Sequence, residues 1–498
     1  MMVQHGLFTP ILYSRLYISF RSSPSPPPPP PSNKLHLSPA VGDMKLRSLL
    51  STCSATICTT TDDTTTPHTE NSVPPQPKKL LFYDTSSTIS DTTTTTATSP
   101  SPDTSYSYSY GSSLHSNLSL QTLPSVPSLQ NLSPETLNLA VNHGYLTSIK
   151  PSPSAHINFL DVHNHLLYAA SGNRIHVFNI STFALLDTLT VNDSSSGSVK
   201  SVTFHNGNVF TSHQDSKIRV WRLTENKRHK HAATLPTLED RLLRSILHKN
   251  YVNVRRHRRR LWIQHQDAVT GLAVIDDKLM CSISWDKYLK IWKTSNFRCV
   301  ESIKAHDDAI NAVAVAADGT IYTGSADRRI KVWGKPIGEK KHGLIATLEK
   351  HKSAVNALAI ADAGSVLFSG ACDRSILVWE KEDSANYMAV TGALRGHRKA
   401  ILCLLNVSDL LFSGSADRTV RIWQRGFDGK FCCLTVLDEH RQPVRSLAAH
   451  SDPQGPGSGS GPESAIKVFS GSFEGEIRVW KVVISNLASP MSRHLFKL

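Results

Sequence analysis

One phrase returns along the chain and constrains its fold more than any other feature. The stretches "TSHQDSKIRVW", "CSISWDKYLKIW", "YTGSADRRIKVW", "FSGACDRSILVW", "SGSADRTVRIW" and "FSGSFEGEIRVW" end at Trp221, Trp292, Trp333, Trp379, Trp423 and Trp480, and a fainter copy, "AASGNRIHVF", ends at Phe178. A period of about forty-four residues points to a ring or stack of small equivalent units. Each copy holds two runs of β-branched and aromatic residues around a polar turn, which predicts a hairpin. In the best copies a histidine (His265, His306, His351, His397, His440) precedes an apolar run such as "AVNALAI" or "AILCLL", a further strand. A short apolar stretch after the tryptophan, for instance "GLIATLEK", makes four strands per unit. Residues 141–498 therefore read as seven all-β units.

This pattern resembles the WD-repeat family, whose fold is a β-propeller, so the expected architecture is a seven-bladed WD-repeat β-propeller. In that family a histidine, a strand hydroxyl, a turn aspartate and a tryptophan form a buried hydrogen-bond chain within a blade. The resemblance implies four complete structural sets: His265, Ser282, Asp286 and Trp292; His306, Thr323, Asp327 and Trp333; His351, Ser369, Asp373 and Trp379; and His397, Ser413, Asp417 and Trp423. The chemistry agrees, because an indole N–H can only donate and a buried one needs an acceptor, which a hydroxyl supplies while passing its own proton to imidazole.

Serine, histidine and aspartate are also what a hydrolase uses. A nucleophile needs one trio, and four at a fixed period mean architecture. No glycine-rich phosphate loop, H-E-x-x-H or nucleophile elbow is present. Eight scattered cysteines lack metal-ligand or disulfide spacing. The expectation is no catalytic residue, no metal and no cofactor. No run of eighteen apolar residues suggests a membrane-spanning helix.

Several positions depart from the family pattern. Only His397 follows glycine, and no blade tryptophan is followed by aspartate. Blade one has Phe178 for tryptophan and Gly172 at the turn-aspartate position. Blade seven has Glu474 at that position and a Gly/Ser/Pro-rich insertion, 451–464, expected to be a flexible loop. These two units are expected to be the least stable. An open ring would expose strand edges, and "GYLTSI", Gly144–Ile149, is expected to seal it as the outer strand of blade seven.

Residues 1–140 have another character. "SPSPPPPPPS" and "DTTTTTATSPSPDTSYSYSYGSS" contain too few apolar residues to offset the entropy of ordering, which predicts a long disordered region. Residues 1–32 carry Arg15, Arg21 and no acid, the composition of an organelle transit peptide. The competing reading is that Met44 opens the chain proper and the first 43 residues have no targeting role.

The net charge of +14 is concentrated in an insert, 224–264, between blades two and three. It holds eleven basic and three acidic residues, +8 in all, and lengthens the Trp221–Trp292 spacing to 71 against 41 for Trp292–Trp333. Within it "TLPTLEDRLLRSIL" places Leu238, Leu242 and Ile246 at helical spacing after a Thr237/Asp240 start resembling a capping box, predicting a short helix packed on the ring. Arg255, Arg256, Arg258, Arg259 and Arg260 form a basic patch with three readings: an import signal, a phosphate contact, or a solvated strand covering a blade edge. No base-reading motif accompanies it, so sequence-specific nucleic-acid binding is not expected.

"LPTLEDRLLRSILHKNYVNVRRHRRRLWIQHQDAV", "LPSVPSLQ", "GHRKAILCL" and "SADRTVRIWQRG" resemble the plant WD-repeat proteins of the JINGUBANG group. The resemblance implies a regulatory adaptor, of a type concerned with pollen germination or developmental signalling, resident in nucleus and cytoplasm. A propeller brings no chemistry of its own, so the expected function is a protein–protein interaction scaffold, with a transcription regulator as one kind of partner. The residue before each turn aspartate lies on the rim that commonly holds partners in the family. Gln214, Trp285 and Phe473 are the candidates there, the two aromatics either anchoring a peptide or covering neighbouring loops. The alternatives are a substrate receptor of a cullin-type ubiquitin ligase, which usually carries Trp-Asp-x-Arg, and a binder of nucleic acid or anionic membrane through the basic insert.

Overall fold

A computed structural model describes residues 139–486, apart from short stretches at 153–154, 192–195, 227, 256–257, 337, 362–363, 382–387, 427–429 and 452–462. The expectations for residues 1–138 and for nearly all of the 451–464 insertion therefore fall outside the described residues.

The described residues form seven four-stranded antiparallel sheets and one separate two-stranded hairpin. Second strands such as Ile321–Ser325, Val366–Ala371 and Leu410–Ser415 are buried along their whole length. Both faces of each sheet are covered by neighbouring sheets, so burial in these strands is continuous instead of alternating. First strands touch in a closed cycle, Val199–His205 on Val269–Val274 and so on round to Val444–Ser451 on Ile157–His163. The core is consequently a set of layers between blades. One of them joins Phe412 and Ile422 of blade six to Leu447, Val468 and Trp480 of blade seven.

The glycine in the repeated Ser-Gly phrase has a steric cause. A Cβ built on Gly324, Gly370, Gly414 or Gly471 would lie 2.7, 2.4, 2.8 and 2.4 Å from Val355, Ile401, Val444 and Ile157, in each case on the first strand of the next blade. Only glycine permits that approach. Ile157 belongs to blade one, so Gly471 marks the seam where the last blade meets the first.

The seam is sealed by the start of the described chain. Leu139–Ile149 pairs antiparallel with Ile477–Asn486, with Tyr145 opposite Trp480 and Ile149 opposite Ile477. The closing strand is thus where "GYLTSI" leads one to look, and it begins earlier, at Leu139. Blade seven draws its strands from both ends of the propeller.

The insert contains helix α1 (Leu238–Ser245), a 3-10 turn (His248–Asn250) and the hairpin Tyr251–Arg255/Arg258–Leu261. Thr237 caps α1, its hydroxyl accepting from the Asp240 N–H. Leu261 and Ile263 anchor the insert in the core between blades two and three. No helix of the described residues is long and apolar enough to cross a membrane.

Candidate functional site

In blade six, Ser413 Oγ accepts from Trp423 Nε1 at 2.8 Å and hydrogen-bonds His397 Nε2 at 2.8 Å, and His397 Nδ1 donates to Asp417 at 2.9 Å. A carboxylate can only accept, which places a proton on His397 Nδ1. The same three contacts recur at 2.8–2.9 Å around Ser282, Thr323 and Ser369. All four hydroxyls are fully buried. Their lone pairs face an indole inside a blade, a place no substrate carbonyl reaches.

The carboxylates also tie two loops together. Asp417 accepts from the Arg398 N–H at 2.8 Å and from the Thr419 N–H at 3.0 Å, joining the loop before the first strand to the second turn. Burial works to raise the pKa of Asp286 and Asp373, but their histidines and the N–H groups of Gln266, Tyr288 and Ser375 hold both down to about 2. Burial lowers the pKa of His265 despite the attraction of Asp286.

Blade seven builds such a set and blade two a partial one, and the repeated phrase alone does not single them out. In blade seven His440 lies 2.7 Å from both Glu474 and Ser470, and Trp480 donates to Ser470 at 2.9 Å. The missed signal was spacing: Ser470 and Trp480 stand ten apart, as Ser413 and Trp423 do. In blade two Trp221 donates to Thr211 at 3.0 Å, and the imidazole on Thr211 belongs to His213 of the same strand, at 2.8 Å. Asp215 is taken instead by Arg219, at 2.6 and 3.2 Å. Burial, with the charge of Arg219 behind it, pushes the His213 pKa down to about 3.

On the rim, Gln214 is exposed and accepts from the Ser198 hydroxyl at 3.0 Å. Trp285 is half-buried, with Lys200 Nζ of blade two 5.4 Å from its ring centre. Burial and then the charge of Arg445 hold Lys200 down to about 8. Phe473 is half-buried too, edge-on to His156 at 5.5 Å, and its carbonyl meets the His156 ring.

The model of the WD domain, G-beta repeat, matches residues 297–334, 343–380, 389–424 and 431–481. Each match begins at the outer strand of one blade and ends with the third strand of the next, the same offset that lets Leu139–Ile149 complete blade seven. The chain is a seven-bladed β-propeller that carries WD repeats. No curated protein matches the chain. The blades outside the matched residues keep the fold: blade one has Phe178, blade two lacks the loop histidine, and blade three, whose set is complete, follows the insert.

The WD-repeat ring carries the insert differently from the sequence expectation. Helix α1 does pack on the ring, but not through its leucines. Leu238, Leu242 and Ile246 are 74, 68 and 76% exposed, while Asp240 is 2% exposed. Asp240 accepts from Arg244 Nε at 2.8 Å, and Arg244 reaches the Cys299 carbonyl at 3.1 Å and lies 4.6 Å from the Trp262 ring centre. Of the basic patch, Arg256 lies outside the described residues, and Arg255 and Arg258 are placed in the hairpin strands. Arg259 is exposed and Arg260 is half-buried, donating to the His265 carbonyl at 3.4 Å.

Proposed function

We propose that this WD-repeat propeller is a non-catalytic scaffold that holds protein partners on its surface. The observation that carries the reading is the complete engagement of the hydroxyls of Ser282, Thr323, Ser369 and Ser413, each buried between an indole N–H and an imidazole. With the only recurrent chemistry spent on bracing, function resides in surfaces. Gln214, Trp285 and Phe473 are the proposed contacts on one rim. The resemblance to the JINGUBANG group extends the proposal to a plant regulatory adaptor, resident in nucleus and cytoplasm, with a transcription regulator among its partners.

A second reading is favoured by the +8 insert and by exposed Arg259: a binder of phosphate-rich ligands. Affinity capture with the full chain separates the two. A protein partner retained by a variant lacking Arg255, Arg256, Arg258, Arg259 and Arg260 but lost with Trp285→Ala supports the rim scaffold. Binding that falls steeply with salt and vanishes with the arginines supports the phosphate reading.

A further inference from the structure

An eight-residue helix on a ring surface ordinarily turns its apolar side inward. Helix α1 does the reverse. Asp240 and Arg244, one turn apart, face the ring, and Leu238, Leu242 and Ile246 form a stripe on the opposite side, extended by Leu243 and Leu247, which are also exposed. Placing large aliphatic side chains in water gains nothing for folding, whereas covering them is favourable. Scattered exposed leucines need no explanation, but a contiguous stripe does.

The stripe runs into a cleft of about 760 Å³ between blade two and the insert. Leu235, Pro236 and Leu238 give it an apolar floor, and Lys217, Arg241 and Arg260 line it as cations. Its acid, Asp215, already holds Arg219 at 2.6 Å and Lys217 at 3.7 Å. Arg241 is exposed and forms no ion pair with a described residue, and Lys249 and Arg259 add positive charge nearby along the insert. The surface therefore combines an aliphatic stripe with uncompensated positive charge.

Resting on the scaffold reading, we infer that the outward face of α1 and this cleft form a second docking surface, distinct from the rim, for an acidic amphipathic segment of a protein partner. Aliphatic or aromatic side chains of that segment cover Leu238, Leu242 and Ile246, and its carboxylates meet Arg241 and Arg260. Nucleic acid would satisfy the arginines but leave the stripe uncovered, so a peptide fits better.

The test uses the full chain and a fluorescein-labelled peptide of about sixteen residues, glutamate-rich with leucines at every third or fourth position, followed by fluorescence anisotropy. Leu242→Ser and Arg241→Glu should each weaken binding at least tenfold, with the unfolding midpoint unchanged because both side chains are exposed. A lysine-rich version of the peptide should not bind, and Trp285→Ala should have no effect. The inference is overturned if Leu242→Ser leaves affinity intact, if single-stranded DNA displaces the peptide, or if the lysine version binds equally. It is also overturned if a cysteine placed by Leu242→Cys resists maleimide labelling in the peptide-free chain, showing that a second copy or the chain's own N-terminal region covers the stripe. Loss of the peptide with Trp285→Ala alone would return the partner to the rim, sinking this inference while leaving the scaffold reading intact.

Discussion

Glu474 Oε1 lies 2.7 Å from His440 Nδ1 in blade seven, where the other complete blades use an aspartate. Its extra methylene is absorbed by the turn, and the Arg441 N–H still reaches the second carboxylate oxygen at 3.3 Å. Blade seven is therefore braced as blades three to six are. Glu474→Ala should cost about 1–3 kcal/mol by leaving buried His440 without its acceptor, comparable to Asp417→Ala. Urea unfolding of the two variants beside the parent measures this.

Stability should fall with acid in two stages. His213 is held at about 3 against an ordinary 6.5, so the unfolded chain binds the extra proton and stability declines as pH drops from 6.5 towards 3. Asp286 and Asp373 are held at about 2 against 3.8. Their contribution is complete above pH 4 and is lost only as pH falls from there to 2. His213→Ser, which places at this position the residue that Ser284 and Ser415 supply in blades three and six, should reduce the first stage, to which His265 and His440 also contribute, and leave the second. Thermal unfolding from pH 7 to pH 2 distinguishes them.

Removing residues 139–149 should leave Ile477–Asn486 as an open edge and strip Val141 from the core it shares with Val482 and Ile484. An unpaired apolar edge invites association. Size-exclusion chromatography should show aggregates or oligomers, with a lower unfolding midpoint.

Asp240 fastens α1 by holding Arg244, which reaches the Cys299 carbonyl of blade three. Asp240→Ala should lower the local opening free energy of residues 238–250 by about 1–3 kcal/mol, read by hydrogen exchange, with little change in the midpoint of the ring.

The propeller was legible in the sequence because its physics repeats: Trp292, Trp333, Trp379 and Trp423 need the same acceptor at the same distance along the chain, and Gly324, Gly370 and Gly414 need the same clearance. The set in blade seven was obscured by Glu474, which performs the aspartate's task without matching the phrase. In blade two the imidazole comes from His213, inside the strand, so no loop position announces it. Helix α1 was readable as a helix from Thr237 and its leucine spacing, but not in orientation. Apolar periodicity assigns the inward face to leucines, whereas here buried Asp240, paired with half-buried Arg244 and with Trp262 beside it, takes the ring side.

The thermal unfolding midpoint of Ser413→Ala, set beside that of Ser369→Ala, tests most directly whether the recurring hydroxyls brace the ring. Both variants should lose similar stability, about 1–3 kcal/mol each, because each strands an indole N–H and an imidazole in the same surroundings. An unchanged midpoint for Ser413→Ala, together with labelling of Ser413 in the parent by a fluorophosphonate, would contradict the account.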